Sequence, residues 1–136
     1  MAANDAANDD RQLAGLLAEV AFLLIRQGEL DRAQTVLAGL KELQPEHSSP
    51  HVLEGLCHFA RLDFPAAERS YRASLTREPG NDLAKTFLAE SLIPQRRYRE
   101  AEDLLKQVLS GKRDQAAVTL AQGLDEGLRQ GLFQRQ

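Results

Sequence analysis

ELDRAQTVLAGLKELQP, residues 29–45, decides the fold because its pattern returns twice at one interval. DFPAAERSYRASLTREP occupies residues 63–79, and RYREAEDLLKQVLSGKR occupies residues 97–113. A shift of 34 residues superimposes Leu30, Phe64 and Tyr98, then Ala33, Ala67 and Ala101, then Leu37, Tyr71 and Leu105, while Pro45 falls onto Pro79. Within the first copy Leu30, Ala33, Leu37 and Leu40 recur at helical spacing, with Asp31, Arg32, Gln34, Lys41 and Glu42 on the other side. Such a helix buries one stripe and needs one neighbour.

Upstream of each copy lies a second helix in the same frame, marked by the small residues Ala21, Gly55 and Ala89. Ser49 before Pro50 reads as an N-cap with proline in the first turn, and Asn81 with Asp82 offers another. Gly28, Pro45, Pro79, Gly80 and Gly111 punctuate helix ends. Helices are expected near 11–27, 30–43, 50–62, 65–77, 82–94, 97–109 and 114–130. A pair of antiparallel helices every 34 residues resembles the tetratricopeptide repeat. The resemblance implies an all-α solenoid of three helix pairs, at 14–47, 48–81 and 82–115, plus a C-terminal capping helix at about 114–130. It also marks departures. Leu17, His51 and Lys85 replace the usual early aromatic, and the glycine of the inter-helix turn survives only as Gly28, with Leu62 and Arg96 at the equivalent places.

The capping helix is read from Ala117, Leu120, Ala121, Leu124 and Leu128, with Asp125, Glu126 and Arg129 as polar cover. Gly123, Gly127 and Gly131 recur every four residues there, which permits close backbone approach, but a polar terminal stretch is expected to fray. At the other end, residues 1–10 are expected to be a disordered acidic tail, and residues 11–136 form a single domain.

Composition excludes several classes. One cysteine, Cys57, allows neither an intrachain disulfide nor a multi-cysteine zinc site and points to a reducing compartment. Asp5, Asp9 and Asp10 account for the entire formal charge of −3, so no global attraction to nucleic acid or membrane follows. The longest apolar run, Val20 to Ile25, is far short of the roughly 20 residues that cross a bilayer. The start is acidic where an export signal is basic and then apolar, so a cytoplasmic chain is expected.

The leading helices of the pairs carry more apolar surface than one neighbour can cover. Leu17, Val20, Ala21 and Leu24 make one face, and Ala18, Phe22 and Ile25 make a second. The same offsets hold Val52, Leu56 and Phe59 in the second repeat, then Thr86, Glu90 and Ile93 in the third, with Leu83 extending the row. In the repeat family this face lines the concave groove, so the resemblance implies a partner-binding groove of Ala18, Phe22, Ile25, Val52, Leu56, Phe59, Leu83, Thr86, Glu90 and Ile93. A contiguous apolar patch of this kind marks an interaction site. Its occupant is either a client with apolar anchors, or a folded-back terminal segment or dimer mate of the chain itself. A carboxylate-binding groove is disfavoured, because that chemistry needs Lys, Arg or Asn where Ala18, Phe22, Val52 and Leu56 stand.

No catalytic constellation emerges, so neither an enzyme nor a cofactor is expected. His51, Glu54, Cys57 and His58 share a helix, but His51 and His58 fall at packing positions and the fourth zinc ligand lacks proper spacing. Ser48 and Ser49 read as caps, and Gly111-Lys112 lacks the glycine and strand of a phosphate loop. Arg96, Arg97 and Arg99 form the basic cluster, with Glu100, Glu102 and Asp103 positioned to neutralise it.

Three repeats plus a terminal helix, with Leu-Leu-Ala-Glu-Val-Ala-Phe at 16–22, Gly55-Leu56-Cys57, and Phe-Leu-Ala-Glu-Ser at 87–91, resemble the small chaperones of bacterial type III secretion. Two groups share this profile: class II chaperones of translocators, and chaperones of the needle subunit. Either resemblance implies an export client held in the concave groove, and the needle-subunit group adds a small co-chaperone. The competing class is a structural scaffold whose apolar faces join copies or other proteins permanently.

Overall fold

The computed structural model describes residues 2–133; Met1 and residues 134–136 lie outside that description. Among the described residues the chain forms seven α-helices and no strand. They are α1 (Ala2–Arg26), α2 (Leu30–Leu43), α3 (Ser49–Ala60), α4 (Phe64–Arg77), α5 (Asp82–Leu92), α6 (Tyr98–Gly111) and α7 (Gln115–Arg129), with a 3-10 turn, Ile93–Gln95, after α5. Each pair, α1/α2, α3/α4 and α5/α6, packs as a hairpin, and successive hairpins stack in order, with α7 against α5 and α6. The expected pairs are all present.

The repeat shows most clearly where the leading helices stop. Gly28, Leu62 and Arg96, 34 residues apart, all adopt left-handed backbone, with φ of 79°, 63° and 62°. At each place two hydrogen bonds close the helix: Gly28 N–H donates to Ile25 O and Glu29 to Leu24, then Leu62 to Phe59 and Asp63 to His58, then Arg96 to Ile93 and Arg97 to Leu92. This paired closure satisfies the last carbonyls and suits glycine, which has no Cβ to clash. Leu62 and Arg96 hold the same geometry without that freedom.

The fourth leading helix ends in the same way. Gly131 has φ 70°, its N–H reaches Leu128 O, and Leu132 N–H reaches Gly127 O. Phe133 then stands two residues past the turn, as Leu30, Phe64 and Tyr98 do. Its ring lies so near Gly127 that an added Cβ there would come within 2.5 Å of it, and its carbonyl accepts from the Tyr98 hydroxyl at 3.2 Å. The expectation of a frayed end is therefore corrected: Gly127 and Gly131 serve a packed terminus.

Helix starts are set by side-chain caps. Asp63 accepts from Ala66 N–H, Asn81 from Ala84, and Asp114 from Ala116 and Ala117. Ser48, not Ser49, precedes α3, and its hydroxyl donates to Glu78 at the end of α4. Asp82 lies inside α5, buried, and takes two hydrogen bonds from Arg113, at 2.7 and 3.2 Å, tying the start of the third repeat to its end. The segment expected as a disordered tail is instead helical, since α1 begins at Ala2. Asp5 to Leu13 are exposed, so the extension buries little surface.

The core has two parts. Ala14, Ala21, Ala33, Leu37, Leu40, Leu53 and Cys57 form one cluster across α1–α3. A larger cluster across α4–α7 is built on Tyr71, Leu88, Leu92, Leu105, Ala117 and Ala121. Their junction is the α3/α4 hairpin, where Gly55 lets α3 lie against the Tyr71 ring; a Cβ at Gly55 would overlap that ring. Tyr71 stacks on Phe87 at 5.7 Å, and its hydroxyl is buried without a partner. On the surface Glu68 of α4 accepts from Arg72, Arg97 and Gln95, and Glu100 also binds Arg97 and Arg72. Glu68 and Glu100, not Glu102 or Asp103, thus neutralise Arg97.

Candidate functional site: an apolar cleft between the leading helices

Leading helices α1 and α3 pack together, as α5 and α7 do, but α3 and α5 make little direct contact because α5 leans on α4 instead. A cleft of about 380 Å³ opens along α1, α3 and the start of α5. It is lined by Ala18, Glu19 and Phe22 of α1, Ser49, Val52 and Leu53 of α3, then Asn81 and Leu83. No Lys or Arg is among these lining residues. Phe22 is the most open of the aromatic anchors, with 44% of its surface exposed, and the Arg26 guanidinium sits 5.8 Å from its ring centroid.

The cleft brings together Ala18, Phe22, Val52 and Leu83 of the ten expected residues. Ile25 and Leu56 are half-buried and pack against the α1–α3 core, while Phe59 is half-buried, 5.1 Å edge-on to Phe64. Thr86 and Ile93 are corrected. Thr86 is fully buried with its hydroxyl donating to Asp82 O, and Ile93 is 5% exposed at the 3-10 turn. The lean of α5 onto α4 turns its expected groove face inward, so the third repeat offers the cleft little beyond Leu83. The 34-residue frame gave positions along each helix, but not this rotation.

Glu90 shares that inward-turned face. It is half-buried, and burial raises its carboxyl above the usual range. Burial also raises the nearby Tyr71 hydroxyl, with the Glu90 charge adding to the effect. The residues missed by sequence reasoning are Glu19, Ser49, Leu53 and Asn81, which flank the expected positions.

The histidine cluster has a packing role. His51 is 9% exposed with Nδ1 3.5 Å from Glu54 Oε1, and burial, then Arg77, holds its pKa below the usual imidazole value. Glu54 also receives the Lys41 ammonium of α2 at 3.2 Å. Cys57 is fully buried, and burial pushes its thiol up. Among the described residues, no three His, Cys, Asp or Glu side chains converge to hold a metal ion, and no helix is long and apolar enough to cross a membrane.

Comparison with known proteins yields one match. The family model for the tetratricopeptide repeat covers residues 58–126, just over half the chain, from the end of α3 into α7. No curated protein and no solved structure matches the sequence. The 34-residue frame, the hairpin stack and the repeated left-handed turns agree with the family match, and the chain belongs to the tetratricopeptide repeat family, whose repeats are protein-interaction modules.

Proposed function

We propose that this chain is a non-enzymatic binding protein that shields an apolar segment of a partner protein in the cleft between α1, α3 and the start of α5. The observation that carries this reading is the cleft itself: about 380 Å³, open to solvent, with Phe22, Val52 and Leu83 as its apolar lining. Burying two or three such side chains against a partner contributes about 1.5–3 kcal/mol each before ordering costs, enough for a useful complex. No cofactor or hydrolysis is needed for this role.

The resemblance to type III secretion chaperones supplies the finer proposal: a cytoplasmic chaperone whose client is an exported translocator or needle-subunit protein. The three repeats and the apolar cleft support it. Phe22→Asp and Val52→Asp are expected to abolish capture of a co-expressed translocator or needle subunit while circular dichroism shows unchanged helix content. Retention of the client by both variants refutes the assignment of the cleft.

A further inference from the structure

Leu83, at one end of the cleft, belongs to a stripe that continues along α5. Leu83, Phe87 and Glu90 are half-buried and Pro94 is exposed, at intervals of four, three and four, whereas Ala84, Thr86, Leu88 and Ser91 between them are buried. Seven residues at about 1.5 Å each put Glu90 roughly 10 Å from Leu83 on one face of the helix. In the 34-residue frame Glu90 takes the place of Phe22 and Leu56, so the row that is apolar on α1 and α3 ends in a carboxylate on α5.

That carboxylate has no counter-charge. Burial is the one influence on Glu90, and no cation among the described residues offsets it. The neighbouring Tyr71 hydroxyl, close enough to feel the Glu90 charge, is fully buried and makes no hydrogen bond. No Lys or Arg lines the cleft, and Arg26, the base beside the Phe22 ring, stands at the other end of the row on α1. A half-buried charge without a partner lowers stability, and a neutral side chain would fill the same place without that cost. Such a residue on the open stripe of a binding groove is half of an ion pair whose other half arrives with the ligand.

We infer that Glu90 receives a lysine or arginine of the bound partner segment, placed roughly 10 Å from the apolar side chain that fills the cleft beside Leu83. This names the chemistry of the partner in the proposed function and rests on that reading. The distance amounts to about three residues of an extended segment or about seven of a helical one. Arg26 repels a base at the opposite end of the row, so the two charges also set which way round the segment lies, with its basic side toward α5.

Random peptides of about twelve residues, long enough to span that distance in either conformation, test it when displayed on phage and selected against the full chain and against Glu90→Gln. The wild-type selection is expected to yield apolar residues with a Lys or Arg at one constant spacing, and the Glu90→Gln selection to yield apolar residues without it. In a synthetic copy of a peptide selected on the wild type, norleucine in place of the basic residue should weaken binding to the wild type about 10- to 100-fold, the loss expected for a charge-assisted hydrogen bond, and leave binding to Glu90→Gln unchanged. Peptides that lack a basic residue yet lose binding to Val52→Asp, or a norleucine peptide that holds the wild type as tightly as its parent, overturn the inference and leave the cleft standing. Peptides that still bind Val52→Asp, or a selection that yields none, overturn the cleft reading and this inference together.

Discussion

Leu62 and Arg96 stand where the fold demands a glycine-like backbone, and they measure what each turn requires. A non-glycine residue in the left-handed region carries strain of about 1 kcal/mol, offset in part because glycine is freer when unfolded. Leu62→Gly is expected to raise stability by up to about 1 kcal/mol, and Gly28→Ala to lower it by about the same, in urea unfolding. Gly55 is constrained differently, by the Tyr71 ring. Glu90 shows strain of another kind. Burial lifts its folded pKa above the unfolded value, so the folded state favours the protonated form. Its penalty is absent below the unfolded value of about 4.3 and grows as pH rises through the folded value. Glu90→Gln is therefore expected to raise the melting temperature at pH 7 and leave it unchanged at about pH 3. A variant no more stable than wild type at pH 7 contradicts this.

At the scale of elements, α4 and α6 are joined across the 3-10 turn by Glu68, Arg72, Arg97 and Glu100. Burial alone would raise the Glu68 carboxyl, but hydrogen bonds from Arg72, Gln95 and Arg97 outweigh it and hold the pKa below the usual range. Its stabilisation is complete above the unfolded carboxylate value and is lost as pH falls through the lower folded one. Glu68→Gln should cost about 1–3 kcal/mol at pH 7, with the gap to wild type closing below about pH 3 in denaturant titrations. Seven helix positions and the hairpin order were legible in the sequence, because the 34-residue frame fixes apolar stripes, caps and turn positions along each helix. The rotation of α5 was not, since it depends on how α5 packs against α4, a contact between helices that the frame along each helix does not specify. Four of the ten groove residues therefore line the cleft, while Thr86 and Ile93 are withdrawn.

For the whole molecule, the division of the core at the α3/α4 hairpin means that stability is shared unevenly along the stack. The α1–α3 cluster buries small and medium side chains, three alanines, three leucines and Cys57, whereas α4–α7 holds the larger cluster with Tyr71. In stacked repeats each layer is held chiefly by its neighbours, so the smaller part can part company with the larger without full unfolding. Cys57 lies in that smaller cluster, facing Leu37 and Ala38 of α2. Its sulfur is sealed and poorly ionised, so a disulfide reagent can reach it only when α2 and α3 separate. The free energy from its labelling rate is expected to fall below that from global urea unfolding, and equality of the two would mean that the molecule opens only as a whole. The lone thiol thus serves as a natural stopwatch, timing how often the amino-terminal layers breathe without any label having to be introduced.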